Sequence, residues 1–255
     1  MKYIEKYHVH YYYTNRNFDL KLFYIGKYLQ ETALAAFDSM EGPRQELTEK
    51  NLAFILSKIS FVFENKIKKF DDIKVETWAL PPKSAAFIRN YRIFNETSGT
   101  CAVLAASSWA LVNMLEKTIV NPNTLSENFN YATDEEDIGF VPVRRIKIPD
   151  EINILSDNNF IFEKEIFYND IDENMHMNNT VYLDIIDNAL HKIKRDNTTE
   201  KLRTLDLSYN YAAEEGDILS VWGIKINDEI YLKGKIGEIN CFDAKATFDA
   251  KECFE

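Results

Sequence analysis

Apolar and polar residues change their period several times along this chain. Residues 5–15, EKYHVHYYYTN, are rich in aromatic and β-branched side chains, which predicts a strand. The period then turns helical. Leu22, Ile25, Leu29, Ala33, Ala36, Phe37 and Met40 recur at spacings of three and four, predicting one long helix within residues 18–40. Gly42 and Pro43 supply its stop signals. Four strand-like runs follow, at residues 53–64, 73–78, 86–94 and 100–112.

Residues 116–159 break the rhythm. They are polar and carry three of the six prolines, so they read as a linker, with RRIKI at 144–148 pairing as a short strand. The first plan then repeats. FEKEIFYND is strand-like, and NNTVYLDIIDNALHKIKR has Val181, Ile185, Ala189 and Leu190 on an inward helical face. Four more strand-like runs follow, at 202–211, 218–226, 229–236 and 240–248. LSKISFVFENKIKKFDDIKV in the first half parallels LRTLDLSYNYAAEEGDILSV in the second, allowing a residue or two of slippage.

Such a repeat predicts an α+β chain of two tandem units, each a long helix wrapped by a curved antiparallel sheet. Short connections between successive strands favour antiparallel pairing. The expected division is residues 1–115, a linker at 116–159, and residues 160–255.

Composition narrows the function classes. A hydrophobic share of 45% supports a sizeable core, and the scarcity of Gly (8) and Pro (6) excludes a loop-dominated chain. A net charge of -11 disfavours nucleic acid and anionic membrane as partners. Cys101, Cys241 and Cys253 are widely spaced, as in a reducing compartment, and form no CxxC metal site. The N-terminus lacks a continuous apolar core, and no run approaches the roughly 18 apolar residues of a membrane helix. The expectation is a cytoplasmic protein with no membrane span. No Gly-rich phosphate loop appears, and no cofactor is expected.

The most unusual stretch is NDIDENMHMNNTVY, residues 169–182. Asn178 and Asn179 suit a helix N-cap, and free N–H groups of a first helical turn can stabilise an oxyanion. His176 lies just before them, and imidazole suits proton transfer near neutral pH. Were the segment extended, Asp172, Asn174 and His176 would share one face. Two readings stay open from spacing alone: turn and capping chemistry, or an acid/base with an orienter and an anion-stabilising dipole. DxNxH is not a common metal-ligand spacing, so no metal is expected. The matching junction of the first half, YTNRNFDLKLF, has no histidine. The fold unit therefore does not need one.

DIDENMHMNNTVY resembles the DxDxNxHxNNxxY signature of acyl-acyl-carrier-protein (acyl-ACP) thioesterases. LAFILSKISFVFENKIKKFDDIKVETW and IRNYRIFNETSGTCAVLAASSWALVNMLEKTIV resemble two further stretches of that family, in the same order. The resemblance implies a double hotdog fold and hydrolysis of a fatty acyl thioester on acyl carrier protein. It assigns catalysis to Asp172, Asn174 and His176. The family's further Glu or Cys falls at Ala212 and Ala213, leaving Glu214 or Glu215 as the nearby carboxylate and no cysteine nucleophile. It places the acyl chain in the first half, with Leu29, Ala33, Phe37, Phe54 and Trp109 as lining candidates. An acidic carrier calls for cations, with Lys66, Lys68 and Lys69 or Arg144, Arg145 and Lys147 as candidate clusters. A homodimer is expected by analogy, through an exposed edge strand. Two alternatives are an acyl-coenzyme A thioesterase of the same fold and a non-catalytic acyl-thioester-binding module.

Overall fold

A computed structural model describes residues 2–40, 43–82, 85–125, 131, 138–153, 157–194 and 201–249. The chain divides into two compact units, Met1–Leu20 with Tyr24–Pro142, and Lys21–Phe23 with Val143–Glu255.

The first unit opens with β1 (Tyr3–His8). Helix α1 (Leu22–Asp38) buries Leu22, Ile25, Leu29 and Ala36, the face its periodicity predicts. A second helix, α2 (Pro43–Glu49), follows at once. Pro43 was expected only to end α1, but proline also fits the first turn of a helix, where its missing N–H costs nothing. Gly42 lies outside the described residues. Then come β2 (Leu52–Phe63), β3 (Asp72–Ala79), β4 (Ala86–Asn95) and β5 (Thr100–Asn113). A two-residue β6 (Thr118–Ile119), unforeseen from the sequence, pairs with the end of β5. The sheet order is β1-β3-β4-β5-β2, antiparallel throughout. Helix α1 packs on its inner face: Tyr7 of β1 shares a 3.0 Å hydrogen bond with Thr32, and its ring lies tilted against that of Tyr28 at 4.5 Å.

The second unit repeats this plan. A short helix, α3 (Asp150–Asn153), precedes β7 (Phe160–Glu165). Helix α4 (Asn179–Ile193) buries Val181, Tyr182, Leu183, Ile185, Ile186, Ala189 and Leu190. Strands β8 (Leu202–Tyr209), β9 (Ile218–Ile226), β10 (Glu229–Ile236) and β11 (Ile239–Phe248) form an antiparallel sheet ordered β8-β11-β10-β9-β7. Gly223 and Gly234 allow close packing here. A Cβ at Gly223 would meet Ile193 and Leu232 at 2.6 Å, and one at Gly234 would run into the Phe242 ring.

The α+β architecture of two helix-and-sheet units is as expected. RRIKI is not: residues 144–148 form no strand, and Ile146 is buried as a single side chain instead. Of the polar stretch at 116–159, residues 126–130, 132–137 and 154–156 lie outside the described set. Ile138 and Phe140 pack against Trp78 and Ala106 on the first unit's sheet.

Candidate active site

Residues 172–176 are not extended. Ile171 and Met177 form an antiparallel bridge, and the chain between them reverses tightly. Asp172 N donates to His176 O at 2.9 Å, and Met175 N to Asp172 O at 3.0 Å. Met175 sits at φ 64°, a left-handed conformation uncommon for a side chain of this kind. Asp172 Oδ1 accepts from Asn174 N at 2.9 Å, an Asx turn. Alternation along a strand therefore does not align Asp172, Asn174 and His176. A turn gathers them, with Asp172 and His176 half-buried at its base and Asn174 exposed at its tip. Among the described residues, nothing hydrogen-bonds the His176 ring.

Helix α4 starts directly after this reversal. Asn178 is its N-cap: Oδ1 accepts from Thr180 N at 2.9 Å and from the Thr180 hydroxyl at 2.7 Å. Val181 N donates to Asn178 O, and Asn178 N to Asp170 O. The amide left without an acceptor among the described residues is Asn179 N–H. The orphan donor of the first turn thus narrows to one residue. Tyr182 holds the facing loop, its hydroxyl donating to Tyr211 O at 3.2 Å and meeting Ala213 N at 3.3 Å.

The first unit contains the same reversal. Thr14 bridges Leu20, Asn15 N donates to Asp19 O at 2.8 Å, and Asn15 Oδ1 accepts from Asn17 N at 2.9 Å. Phe18 has φ 62°. Asp172, Asn174, Met175 and His176 therefore correspond to Asn15, Asn17, Phe18 and Asp19.

The facing loops match as closely. Leu20 N donates to Ile67 O at 2.8 Å, as Met177 N does to Ala213 O at 2.7 Å. Lys68 N donates to Asp71 Oδ2 at 2.7 Å, as Glu214 N does to Asp217 Oδ2 at 2.8 Å. Phe70 and Gly216 both have positive φ. The two stretches thus align without slippage, placing Ala212 at Lys66, Glu214 at Lys68 and Glu215 at Lys69. In the first unit Lys66 and Lys68 each reach Asp19 at 2.7 Å, whereas Lys69 lies over the Phe18 ring at 4.0 Å. In register, Ala212 and Glu214 take the places of the two lysines that reach the counterpart of His176, and Glu215 that of the lysine over the counterpart of Met175.

The lining candidates separate into two groups. Phe37, Phe54 and Trp109 pack, partly exposed, around buried Leu47, Leu52, Phe87 and Leu111, with Val120, Leu125 and Tyr131 beside them. Leu29 is buried and Ala33 half-buried, and neither belongs to this cluster. Phe87 and Leu111 were missed from the sequence, though both align with lining residues: Phe87 pairs with Trp109 and Leu111 with Phe54.

The cation clusters also differ. Lys66 and Lys68 share the single carboxylate of Asp19, while Arg144, Arg145 and Lys147 are exposed. Cys101 and Cys241 are free thiols, and burial pushes the Cys241 thiol up to about 11. Cys253 lies outside the described residues. No helix among the described residues is long and apolar enough to cross a membrane.

Comparison with known proteins gives concordant findings. The acyl-ACP thioesterase N-terminal domain matches residues 1–123, and the C-terminal domain of the same family matches residues 156–236. No curated protein sequence matches significantly. An acyl-ACP thioesterase from Bacteroides thetaiotaomicron VPI-5482 superposes with a TM-score of 0.82 at 21% identity, over 97% of this chain and 98% of that one. The 12:0-ACP thioesterase from Umbellularia californica gives 0.78 at 13% identity, over 98% and 94%. At these identities the likeness shows the fold, a double hotdog.

Proposed function

The chain belongs to the acyl-ACP thioesterase family, and we propose how its own residues perform the hydrolysis of a fatty acyl thioester on acyl carrier protein. One observation carries the assignment. The two units share one polar reversal, and only the second places a histidine at its base; behind it, Asn179 N–H has no acceptor among the described residues.

His176 takes a proton from water as the water oxygen bonds to the thioester carbon. Asn179 N–H and the α4 N-terminus stabilise the oxyanion that forms. The C–S bond then breaks. A thiol of pKa about 8.5 leaves as thiolate without strong acid assistance, and the imidazolium proton returns to it. Asp172 spends one carboxylate oxygen on the turn, which leaves the other to support the imidazolium. Asn174 orients the thioester carbonyl or the water, and Asn178 acts through the cap that fixes Asn179. Glu214 rather than Glu215 serves His176 as the carboxylate; its counterpart Lys68, which reaches the residue equivalent to His176, supports that choice. No cysteine takes part.

The acyl chain lies against Phe37, Phe54 and Trp109 in the first unit. Arg144, Arg145 and Lys147, exposed and close in sequence, receive the acidic carrier. Free thiols at Cys101 and Cys241 support a cytoplasmic setting. The edge strand β7 is where a second copy would add to form a homodimer.

Hydrolysis of acyl-ACP and acyl-coenzyme A substrates of graded chain length, side by side, tests the reading. Faster turnover of the carrier substrates is expected. Equal or faster turnover of the coenzyme A esters would move the assignment to that class, and binding without turnover would make the chain a non-catalytic module.

A further inference from the structure

The helix-facing side of the first unit's sheet changes character along β4. Alternate strand residues share a face, so Phe87, Arg89 and Tyr91 line one side of it. This side faces α1. Tyr91 aligns with Thr77 and Thr77 with Tyr3, and Tyr7, on the same side of β1, bonds Thr32 of the helix. Phe87 belongs to the aromatic cluster of Phe37, Phe54 and Trp109. Next to that cluster the wall becomes polar. Trp109 Nε1 donates to Ser107 Oγ at 2.7 Å, and the Ser107 hydroxyl donates to Tyr91 Oη at 3.4 Å. Arg89 Nη1 donates to Thr77 Oγ1 at 3.3 Å.

Among the described residues, no carboxylate pairs with Arg89. Its neighbours across the ladder, Ala79 and Ser107, are small and uncharged. Partial desolvation lowers its pKa, and full burial raises that of the neighbouring Tyr91. A guanidinium carries several N–H donors in a fixed fork, and one long hydrogen bond leaves most of them unused. Arg89 is half-buried on this wall, and taking such a group even partly out of water without a counter-ion is costly.

We infer that Arg89 recognises an oxygen acceptor carried on the acyl chain itself, so that oxygenated acyl thioesters (oxo, hydroxy or carboxyl-bearing) are preferred over plain hydrocarbon chains. The inference rests on the reading that the first unit holds the acyl chain. A chain with an acceptor satisfies the fork beside Thr77 and Tyr91. A plain chain of equal length strips water from those donors and gives no acceptor in return, which is how a polar site rejects the analogue lacking the polar group.

The test compares carrier thioesters of one chain length, either unsubstituted or bearing a β-oxo, β-hydroxy, mid-chain hydroxyl or terminal carboxyl group. Wild type and the variants Arg89→Met and Arg89→Lys are assayed. The wild type is expected to favour at least one oxygenated chain by about tenfold or more in kcat/KM, equivalent to about 1.4 kcal/mol. Which chain is favoured identifies the acceptor. Arg89→Met should collapse that ratio, and Arg89→Lys should restore part of it. A wild type that turns over the unsubstituted chain as well as every oxygenated one would overturn the inference, as would a variant that slows all substrates alike. Calorimetric binding of the corresponding free acids gives the same ratio without turnover. If hydrolysis is absent yet the binding ratio depends on Arg89, the catalytic reading fails and this one stands. If hydrolysis is robust and both ratios are flat, the reverse holds.

Discussion

The two polar reversals share a backbone and differ in their chemistry. Both bridge across the turn, both use an Asx side chain to hold it, and both place a bulky residue at positive φ. Asn17 and Asn174 are the same residue type at the same place. The first reversal carries Asn15 and Asp19, and Asp19 is held by two lysines. The second carries Asp172 and His176, with a non-basic loop opposite and a capped helix start behind. What the units share is the architecture of a strand-to-helix corner. What they do not share marks the chemistry, and a polar ladder alone does not separate the two.

The largest effect is expected from erasing that difference. The double substitution Asp172→Asn with His176→Asp gives the second corner the first corner's residues. It should lower kcat for acyl-ACP hydrolysis by about 10³-fold or more, within the range of lost general acid–base catalysis, while circular dichroism and melting temperature stay near wild type. Activity within tenfold of wild type would remove the distinction.

Register in the facing loop gives the next effect. Glu214→Gln should lower kcat by about ten- to a hundredfold, because a carboxylate orienting the imidazole is lost. Glu215→Gln should change it less than about twofold. The opposite ranking in steady-state kinetics would show that the loops do not correspond as their backbone hydrogen bonds indicate.

Smaller effects concern how the second corner is held. Tyr182 occupies the place of Ile25 and bonds the loop at Tyr211 and Ala213. Tyr182→Phe should cost about 1–2 kcal/mol in chemical denaturation, the usual range for buried hydrogen bonds. Asn178→Ala should cost about 1 kcal/mol through its lost cap. The least change is expected from thiol alkylation at pH 8. Burial holds the Cys241 thiol at about 11, so it stays protonated and unreactive there. Hydrolysis should then persist after iodoacetamide treatment, checked by mass spectrometry and residual rate.

Much of this fold was legible because apolar alternation is a strong signal. Strands β9 and β10 span the residues their patterns predict, and the four long strands of the first unit fall within a residue or two of theirs. Pro43 shows a limit, since one residue can stop one helix and open the next. RRIKI shows another, because alternation over five residues did not make a strand without a partner edge. Spacing leaves the corner at 172–176 open between an extended run and a turn, because a left-handed Met175 has no sequence signature comparable to that of glycine. The choice between Glu214 and Glu215 rests on backbone hydrogen bonds to Asp217 and Ile166 that spacing does not reveal. Arg89 passed unnoticed because an arginine on a strand ordinarily lies on the outer face, and only the pairing of its neighbours puts it on the helix-facing side, half-buried.

The central claim is that equivalent positions in the two corners are unequal in function. Parallel measurement of kcat/KM on one acyl-ACP substrate for His176→Ala and Asp19→Ala tests it most directly. The account predicts a loss of about 10³-fold for His176→Ala and a change of less than about threefold for Asp19→Ala, both folded. Comparable losses from the two substitutions, or a larger loss from Asp19→Ala, would contradict it.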